Sequence, residues 1–304
     1  PDEKIVKKWR LQPGKMFLID LDQGRIIDDL ELKETLARQK PYQEWISRIN
    51  IKIDELPAPA DVQSPELATT VLDRQQAFGY TQEDLKTILD PLAKTGEEAT
   101  GSMGNDSPLA VMSNKNKTLY NYFKQLFAQV TNPPLDAIRE ELVTSLSSTF
   151  GPEGNLLEPG PDSCKQIVIG YPVLDSDQLA KLVRINRDGG MPEYDTHVVR
   201  GLYPVEDGAE GLKNKLAELC AEVTASIERG CRTIILSDRH SNADLAPIPS
   251  LLLTAAVHQH LVREKMRTQV GLIVEAGDVR EVHHVALLVG FGAAAVNPYL
   301  AFES

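Results

Sequence analysis

The chain has 304 residues, which is long enough to bury a full core in one large domain or two ordinary ones. Acidic residues outnumber basic ones by 44 to 32, and the formal net charge is −12 at pH 7. This excess of negative charge removes the usual electrostatic basis for binding nucleic acid or an anionic membrane surface. We therefore expect neither nucleic acid nor a membrane as a partner.

The distribution of apolar residues and cysteines indicates the compartment. No apolar run approaches the length of a transmembrane helix, and the first ten residues lack the apolar core of a secretion signal. Cys164, Cys220 and Cys231 are odd in number and widely spaced, which favours reduced thiols over a disulfide framework. We expect a soluble, cytoplasmic protein, and the start at Pro1 suggests a piece or a processed product of a longer chain.

The first sixty residues predict a small unit and a linker. Residues 14–29 alternate apolar and polar side chains around Asp22, Gln23 and Gly24, which is typical of a β-hairpin, and a short helix is predicted over 31–38. Residues 54–65 contain three prolines among short and acidic residues, so they predict a surface connection. We place a domain boundary at residue 60, with a second domain over 61–304.

The middle of the chain has helical spacing. Thr81 is a predicted N-cap followed by acidic residues, and the apolar side chains after it recur at helical intervals. Residues 117–130 also predict one amphipathic helix. We expect its apolar stripe in the core, and this stripe comprises Leu119, Tyr122, Phe123, Leu126, Phe127 and Val130.

The last third alternates strands and helices. Short apolar strands are predicted over 232–236, 270–275 and 294–296, with helices over 249–263 and 279–289 between them. This β-α-β-α-β order predicts an α/β fold with a parallel sheet, either as a partial barrel or as an open sheet. In both arrangements ligands gather at the carboxyl ends of the strands, which here carry Asp238, Glu275 and Asn297.

Several apparent motifs have simpler explanations. The glycines of residues 290–295 match a dinucleotide fingerprint in letters, but they follow a helix and enter a strand, so they are better explained as a helix stop. Neither histidine pair, at 258 and 260 or at 283 and 284, presents two imidazoles on one helix face for a metal. Asp238 and Glu275 could form a carboxylate pair for acid-base catalysis, or each could cap the helix that follows its strand.

Residues 95–136 contain two conformationally demanding segments. A loop with Gly96, Gly101 and Gly104 places Met103 alone among polar residues, where it could plug into the core or line a passage or a partner surface. Thr131 precedes an Asn-Pro-Pro corner that redirects the chain. A helix stop alone would explain that corner.

Four segments of this sequence resemble the glutamate synthases, in their large subunit or single-chain form. The resemblance covers most of the chain and is loose between residues 164 and 230. The matching segments are WRLQPGKMFLID, GEEATGSMGND, YFKQLFAQVTNPPLDAIRE and VGLIVEAGDVREVHHVALLVGFGAAAVNPYLAFE.

The resemblance implies a position within a larger enzyme. The family joins an N-terminal glutaminase domain, a central α/β domain related to a rudimentary TIM barrel, and an FMN barrel with an iron-sulfur cluster. Residues 1–60 are similar to the tail of the glutaminase domain and 61–304 to the central domain, which implies no catalytic, cofactor or metal residues here. FMN, the cluster, and ferredoxin or an NADPH-dependent small subunit are expected to bind elsewhere in the parent, and a photosynthetic eukaryote would keep it in the plastid stroma.

The family passes ammonia through an internal tunnel whose wall includes the central domain. The tunnel positions of the family correspond here to Met103 and Thr131. Two hypotheses follow from the sequence. The first is a non-catalytic central domain of a glutamate synthase, and the second is an independent barrel-like enzyme that uses Asp238 and Glu275.

Overall fold

The computed structural model describes most of the chain as two compact units, Pro1–Ile49 and Asn50–Ser304. The described residues are 2–5, 8–57, 69–97, 99, 109–124, 134–155, 157–186 and 190–304.

The first unit contains the predicted hairpin. Strands β1 (Leu18–Asp20) and β2 (Arg25–Ile27) pair antiparallel, followed by helices α1 (Asp29–Ala37) and α2 (Tyr42–Ile49). The Asp20 carboxylate accepts hydrogen bonds from the amides of Asp22 and Gln23, and Gly24 adopts a φ of +62°, which glycine permits. The hairpin and the short helix after it are therefore confirmed.

The second unit is a mixture of strands and helices. Its strands are β3 (Ile51–Lys52), β4 (Ser148–Phe150), β5 (Ile167–Ile169), β6 (Thr196–Arg200), β7 (Leu202–Pro204), β8 (Thr233–Ser237), β9 (Leu245–Pro247), β10 (Gly271–Glu275) and β11 (Ala295–Asn297). Its helices are α3 (Val71–Ala77), α4 (Asp90–Thr95), α5 (Ala137–Val143), α6 (Ser176–Val183), α7 (Gly208–Glu228), α8 (Ser250–Arg263), α9 (Val282–Gly290) and α10 (Tyr299–Glu303). A π-helical segment, Asp84–Leu89, runs directly into α4.

A parallel sheet organises this unit. Strands β6, β8, β10 and β11 lie side by side in chain order, and Val173 forms an isolated parallel bridge with Val296 at the β11 edge. Consecutive order is typical of a barrel, whereas a doubly wound sheet reverses its order. The fold class is therefore α/β with a partial barrel-like sheet, as predicted.

The two faces of the sheet carry separate apolar cores. Alternate side chains such as Ile234 and Leu236 pack against α7 and α8. Ile235 and Ile273 point to the other face, where they pack against residues of α6 and of the three-stranded sheet β3-β5-β4. Because both faces are covered, the strands appear in the sequence as continuous apolar runs.

Two sequence expectations need correction. The predicted helix over 117–130 is wrong in its described part, which is a 3-10 helix, Leu119–Phe123, followed by an extended Lys124. Tyr120 is the fully buried residue, while Tyr122 and Phe123 are exposed on the side expected to face the core. The tertiary contacts of Tyr120 override the local apolar periodicity, which specifies a helix only weakly without packing.

Several elements were not predicted from the sequence. They include strand β6 and the 21-residue helix α7, in the region where the family resemblance is loose. The sequence does contain a helical pattern for α7, because apolar residues recur at helical spacing at Leu216, Leu219, Val223 and Ile227. In the structure these side chains pack on the sheet.

Candidate functional site

The structure places the two predicted strand-end carboxylates side by side. Asp238 follows β8, and Glu275, at the end of β10, pairs in register with Ser237. Asn297 ends β11 opposite Glu275. Met103 and Thr131 lie outside the described residues. The described residues that come before them in the chain, Ala99 and Lys124, both line a cleft at this carboxyl edge of the sheet.

Asp238 acts as a backbone anchor. Both of its carboxylate oxygens accept a hydrogen bond from the Gly277 amide, each at 3.0 Å. Burial, followed by the negative charge of Asp278, raises the pKa of Asp238 well above its usual value. Because its oxygens are directed at the backbone of the next strand-end loop, Asp238 fixes the shape of that loop.

Glu275 is held in a chain of ion pairs. It accepts hydrogen bonds from the Ser237 hydroxyl and from Arg239 Nε, each at 2.5 Å. Arg239 also pairs with Glu303 at 3.0 Å and lies 4.1 Å from the centre of the Tyr299 ring. Burial opposes a charged guanidinium, but Glu275 and Glu303 outweigh it and raise the pKa of Arg239. Glu275 is therefore a fully engaged carboxylate.

Asp278, in the loop after β10, caps helix α8. Its carboxylate accepts hydrogen bonds from the Ser250 amide at 3.1 Å and from the Ser250 hydroxyl at 2.6 Å. The Tyr120 hydroxyl lies 2.5 Å from that same serine oxygen. A negative charge at the first turn of a helix is favourable, and here it also holds Tyr120 in place.

A second group surrounds the start of α9. His284 is buried, and its ring stacks on Tyr120 with centroids 4.2 Å apart. The Arg280 amide donates to His284 Nδ1 at 3.3 Å, so Nε2 carries the proton and faces Glu281 at 3.0 Å. Glu281 also pairs with Lys124 at 3.0 Å. Burial opposes the charge on Glu281, but His284 and Lys124 outweigh it and lower the pKa of Glu281 to about 2.

Arg280 contacts the opposite side of the cleft. Its guanidinium donates to the carbonyl oxygens of Phe78 at 3.2 Å and Gly79 at 3.3 Å. It lies 3.6 Å from the Asp84 carboxylate and 4.4 Å from the centre of the Tyr80 ring. The Tyr80 hydroxyl in turn donates to the Gly277 carbonyl at 3.0 Å. Arg280 therefore ties the chain after α3 to the loop after β10.

The cleft between these groups has a volume of about 1360 Å³. Among the described residues, one wall lies within 77–97 and 99, the other runs from Lys115 to Lys124, and the floor is formed by residues within 247–249 and 278–284. On its floor, Arg280 and Glu281 pair with the wall residues Asp84 and Lys124, and Asp278 accepts a hydrogen bond from the Ser250 amide. Within the described ranges, no group of three or more His, Cys, Asp and Glu side chains is arranged to hold a metal ion.

Sequence reasoning found part of this site. It named Asp238 and Glu275 but missed Asp278, Arg280 and Glu281, which lie in the polar run between β10 and α9. The predicted glycine stop is confirmed, because α9 ends at Gly290 and Gly292 has a φ of +110°.

Across the part of the chain that the structure describes, no helix combines the length and apolar character that crossing a bilayer needs.

Comparison with known proteins identifies the family. Residues 73–304 match the family described as glutamate synthase central domain, and residues 1–45 match the class-II glutamine amidotransferases. The chain is 45% identical over 302 residues to the "Glutamate synthase [NADPH] large chain" of Bacillus subtilis, covering 99% of this chain and 19% of that protein.

Two further relatives agree. The "Ferredoxin-dependent glutamate synthase 2" of Synechocystis is 40% identical over 312 residues, which cover all of this chain and 19% of that protein. The "Glutamate synthase [NADH]" of Schizosaccharomyces pombe is 39% identical over 310 residues, which cover 99% of this chain and 15% of that protein. The chain thus spans less than a fifth of the length of these three relatives. By its match over residues 73–304, the chain belongs to the glutamate synthase central domain family.

Proposed function

We propose that this chain is the connecting region of a glutamate synthase, in which residues 61–304 form a non-catalytic central domain. Residues 1–60 are the tail of the glutaminase domain and a linker. The observation that carries this proposal is the family match over 73–304, preceded by a class-II amidotransferase match over 1–45. The partners of the chain are then the glutaminase and FMN domains of the same polypeptide.

The parent enzyme makes glutamate from glutamine and 2-oxoglutarate with a reductant. FMN and an iron-sulfur cluster serve this reaction in parts of the polypeptide outside the chain. The three relatives are named for three different electron donors, NADPH, NADH and ferredoxin, so we propose reduced ferredoxin or an NADPH-dependent small subunit as the donor partner. The parent works in the cytoplasm, or in the plastid stroma of a photosynthetic eukaryote.

The second part of the proposal is an ammonia tunnel lined by Met103 and Thr131. A tunnel for ammonia must exclude bulk water, since protonation to ammonium removes the nucleophilic lone pair. A methionine provides a dry, adaptable wall, and a threonine offers hydroxyl and carbonyl oxygens as polar contacts. The cleft supports this assignment, because Ala99 and Lys124, which come shortly before Met103 and Thr131 in the chain, both line it.

The side chains at the carboxyl edge of the sheet favour a scaffold over an independent enzyme. Asp238 is directed at the Gly277 amide, and Glu275 at Ser237 and Arg239. A general acid or base must have an oxygen within reach of substrate, and these oxygens are occupied by the protein itself. This weighs against the barrel-like enzyme that would use Asp238 and Glu275.

The tunnel is tested by Met103→Ala and Thr131→Val in the full-length glutamate synthase that contains this chain. We expect both variants to keep hydrolysing glutamine while releasing ammonium to the solvent, so that less reductant is consumed per glutamine. Met112→Ala is the matched control, because Met112 is 77% exposed. Tight coupling in both tunnel variants would refute the tunnel, and stoichiometric FMN binding by this chain alone would refute the non-catalytic role.

A further inference from the structure

We infer that Arg280 and Glu281 are positioning residues that hold the two walls of the cleft at a fixed separation. Their side chains are consecutive in sequence, yet each fastens a different wall. The inference rests on the proposed tunnel, because the chain beyond each wall leads to one of its two residues. Both side chains belong to the loop between β10 and α9 and are at least 90% buried.

Arg280 holds the wall that leads toward Met103. Its planar guanidinium bonds two successive carbonyl oxygens, those of Phe78 and Gly79, and faces the Asp84 carboxylate at 3.6 Å. Asp84 begins the π-helical segment that continues as α4. Fixing two backbone carbonyls and one carboxylate at once sets both the position and the direction of this segment.

Glu281 holds the wall that leads toward Thr131. Its carboxylate pairs with Lys124, seven residues before Thr131, and with the buried His284, which stacks on Tyr120. The pKa of Glu281, lowered to about 2, keeps its carboxylate charged throughout the physiological range. The wall from Tyr120 to Lys124 is thus held at a buried ring and at a charged pair.

The loop that carries both side chains is itself fixed to the sheet. Asp238 accepts a hydrogen bond from Gly277, and Asp278 is bonded to the first residue of α8, Ser250. Buried charges are costly to desolvate, and apolar residues often stabilise a fold as well or better. A fixed separation, by contrast, needs directional contacts, which ion pairs and backbone hydrogen bonds supply.

The test uses the full-length glutamate synthase with Lys124→Gln and Arg280→Lys. Lys124→Gln removes only the wall side of the ion pair and leaves Glu281 bonded to His284. Arg280→Lys keeps the positive charge but cannot span two carbonyl oxygens and a carboxylate. The matched control is Glu222→Gln, which removes the charge from another His–Glu pair, with His197 at 2.8 Å, outside the cleft.

The readout is ammonium released to the solvent per glutamine hydrolysed, measured together with reductant consumption. We expect both variants to release about five- to tenfold more ammonium per glutamine than Glu222→Gln. A tenfold change corresponds to a free-energy difference of about 1.4 kcal/mol. FMN content and the rate with added ammonium should stay unchanged. Lys124→Arg restores the charge and should restore coupling, a rescue that a general loss of packing would not produce.

The outcomes separate the inference from the proposed tunnel. If Met103→Ala leaks ammonium while Lys124→Gln and Arg280→Lys stay as tightly coupled as the control, the tunnel stands and the positioning role is wrong. If Met103→Ala and Thr131→Val also stay coupled, the tunnel itself is wrong. If Arg280→Lys fails to fold, Lys124→Gln decides alone, because the lysine side chain is 36% exposed and its loss leaves the core intact.

Discussion

Tyr120 offers a direct test of how the wall before Lys124 is held. Its side chain is fully buried, its hydroxyl lies 2.5 Å from Ser250 Oγ, and its ring stacks on His284. Tyr120→Phe removes only the hydroxyl. Ser250 keeps its bond to Asp278 at 2.6 Å, so the substitution leaves no unpaired donor on the serine.

The expected cost follows from that geometry. One hydrogen bond with a surviving alternative partner contributes about 1 kcal/mol to the free energy of unfolding. Tyr120→Ala also removes the stacked ring and leaves a cavity, so it should cost about 3–5 kcal/mol. For a unit of this size the first change should lower the melting temperature by about 2–4 °C.

Urea unfolding, followed by circular dichroism, measures both variants. Tyr122→Phe is the matched control, since Tyr122 lies two residues along the same 3-10 helix and is 53% exposed. We expect it to change the free energy of unfolding by less than about 0.5 kcal/mol. Equal costs for the two Tyr→Phe variants, or no cost for either, would contradict the assignment of Tyr120 as the anchor.

Two further predictions concern Asp238 and Gly292. Burial, and then the charge of Asp278, raises the pKa of Asp238. The folded state therefore loses stability as pH rises above the ordinary pKa of an aspartate side chain. Asp238→Asn removes this dependence, so the free energy of unfolding of the variant should rise relative to that of the unsubstituted protein from pH 5 to 8. The same pH dependence of the free energy of unfolding in both proteins would contradict this prediction. Gly292→Ala places a methyl group against the His258 ring at a φ of +110° and should cost about 1–3 kcal/mol. Gly290→Ala, which meets no atom within 4 Å, is its control, and an equal loss in both would argue against the clash.

The family resemblance and the apolar periodicity together predicted much of the second unit. The strands over 232–236, 270–275 and 294–296 were found within one residue, because buried parallel strands appear as uninterrupted apolar runs. The helix over 117–130 is wrong in its described part, although its apolar residues have helical spacing. Tyr120, which lies outside the predicted stripe, is the buried residue there, because its partner Ser250 is far away in sequence.

The sequence by itself determined the fold class, the family and the edge of the sheet at which polar side chains gather. It placed Asp238 and Glu275 together, because strand ends of a parallel sheet meet at one edge. It did not determine what those carboxylates do. Tyr120 and Ser250 are 130 residues apart in the sequence, and local periodicity carries no information about such a contact. Only the tertiary structure decided that the carboxylates at this edge hold the protein's own loops and walls in place.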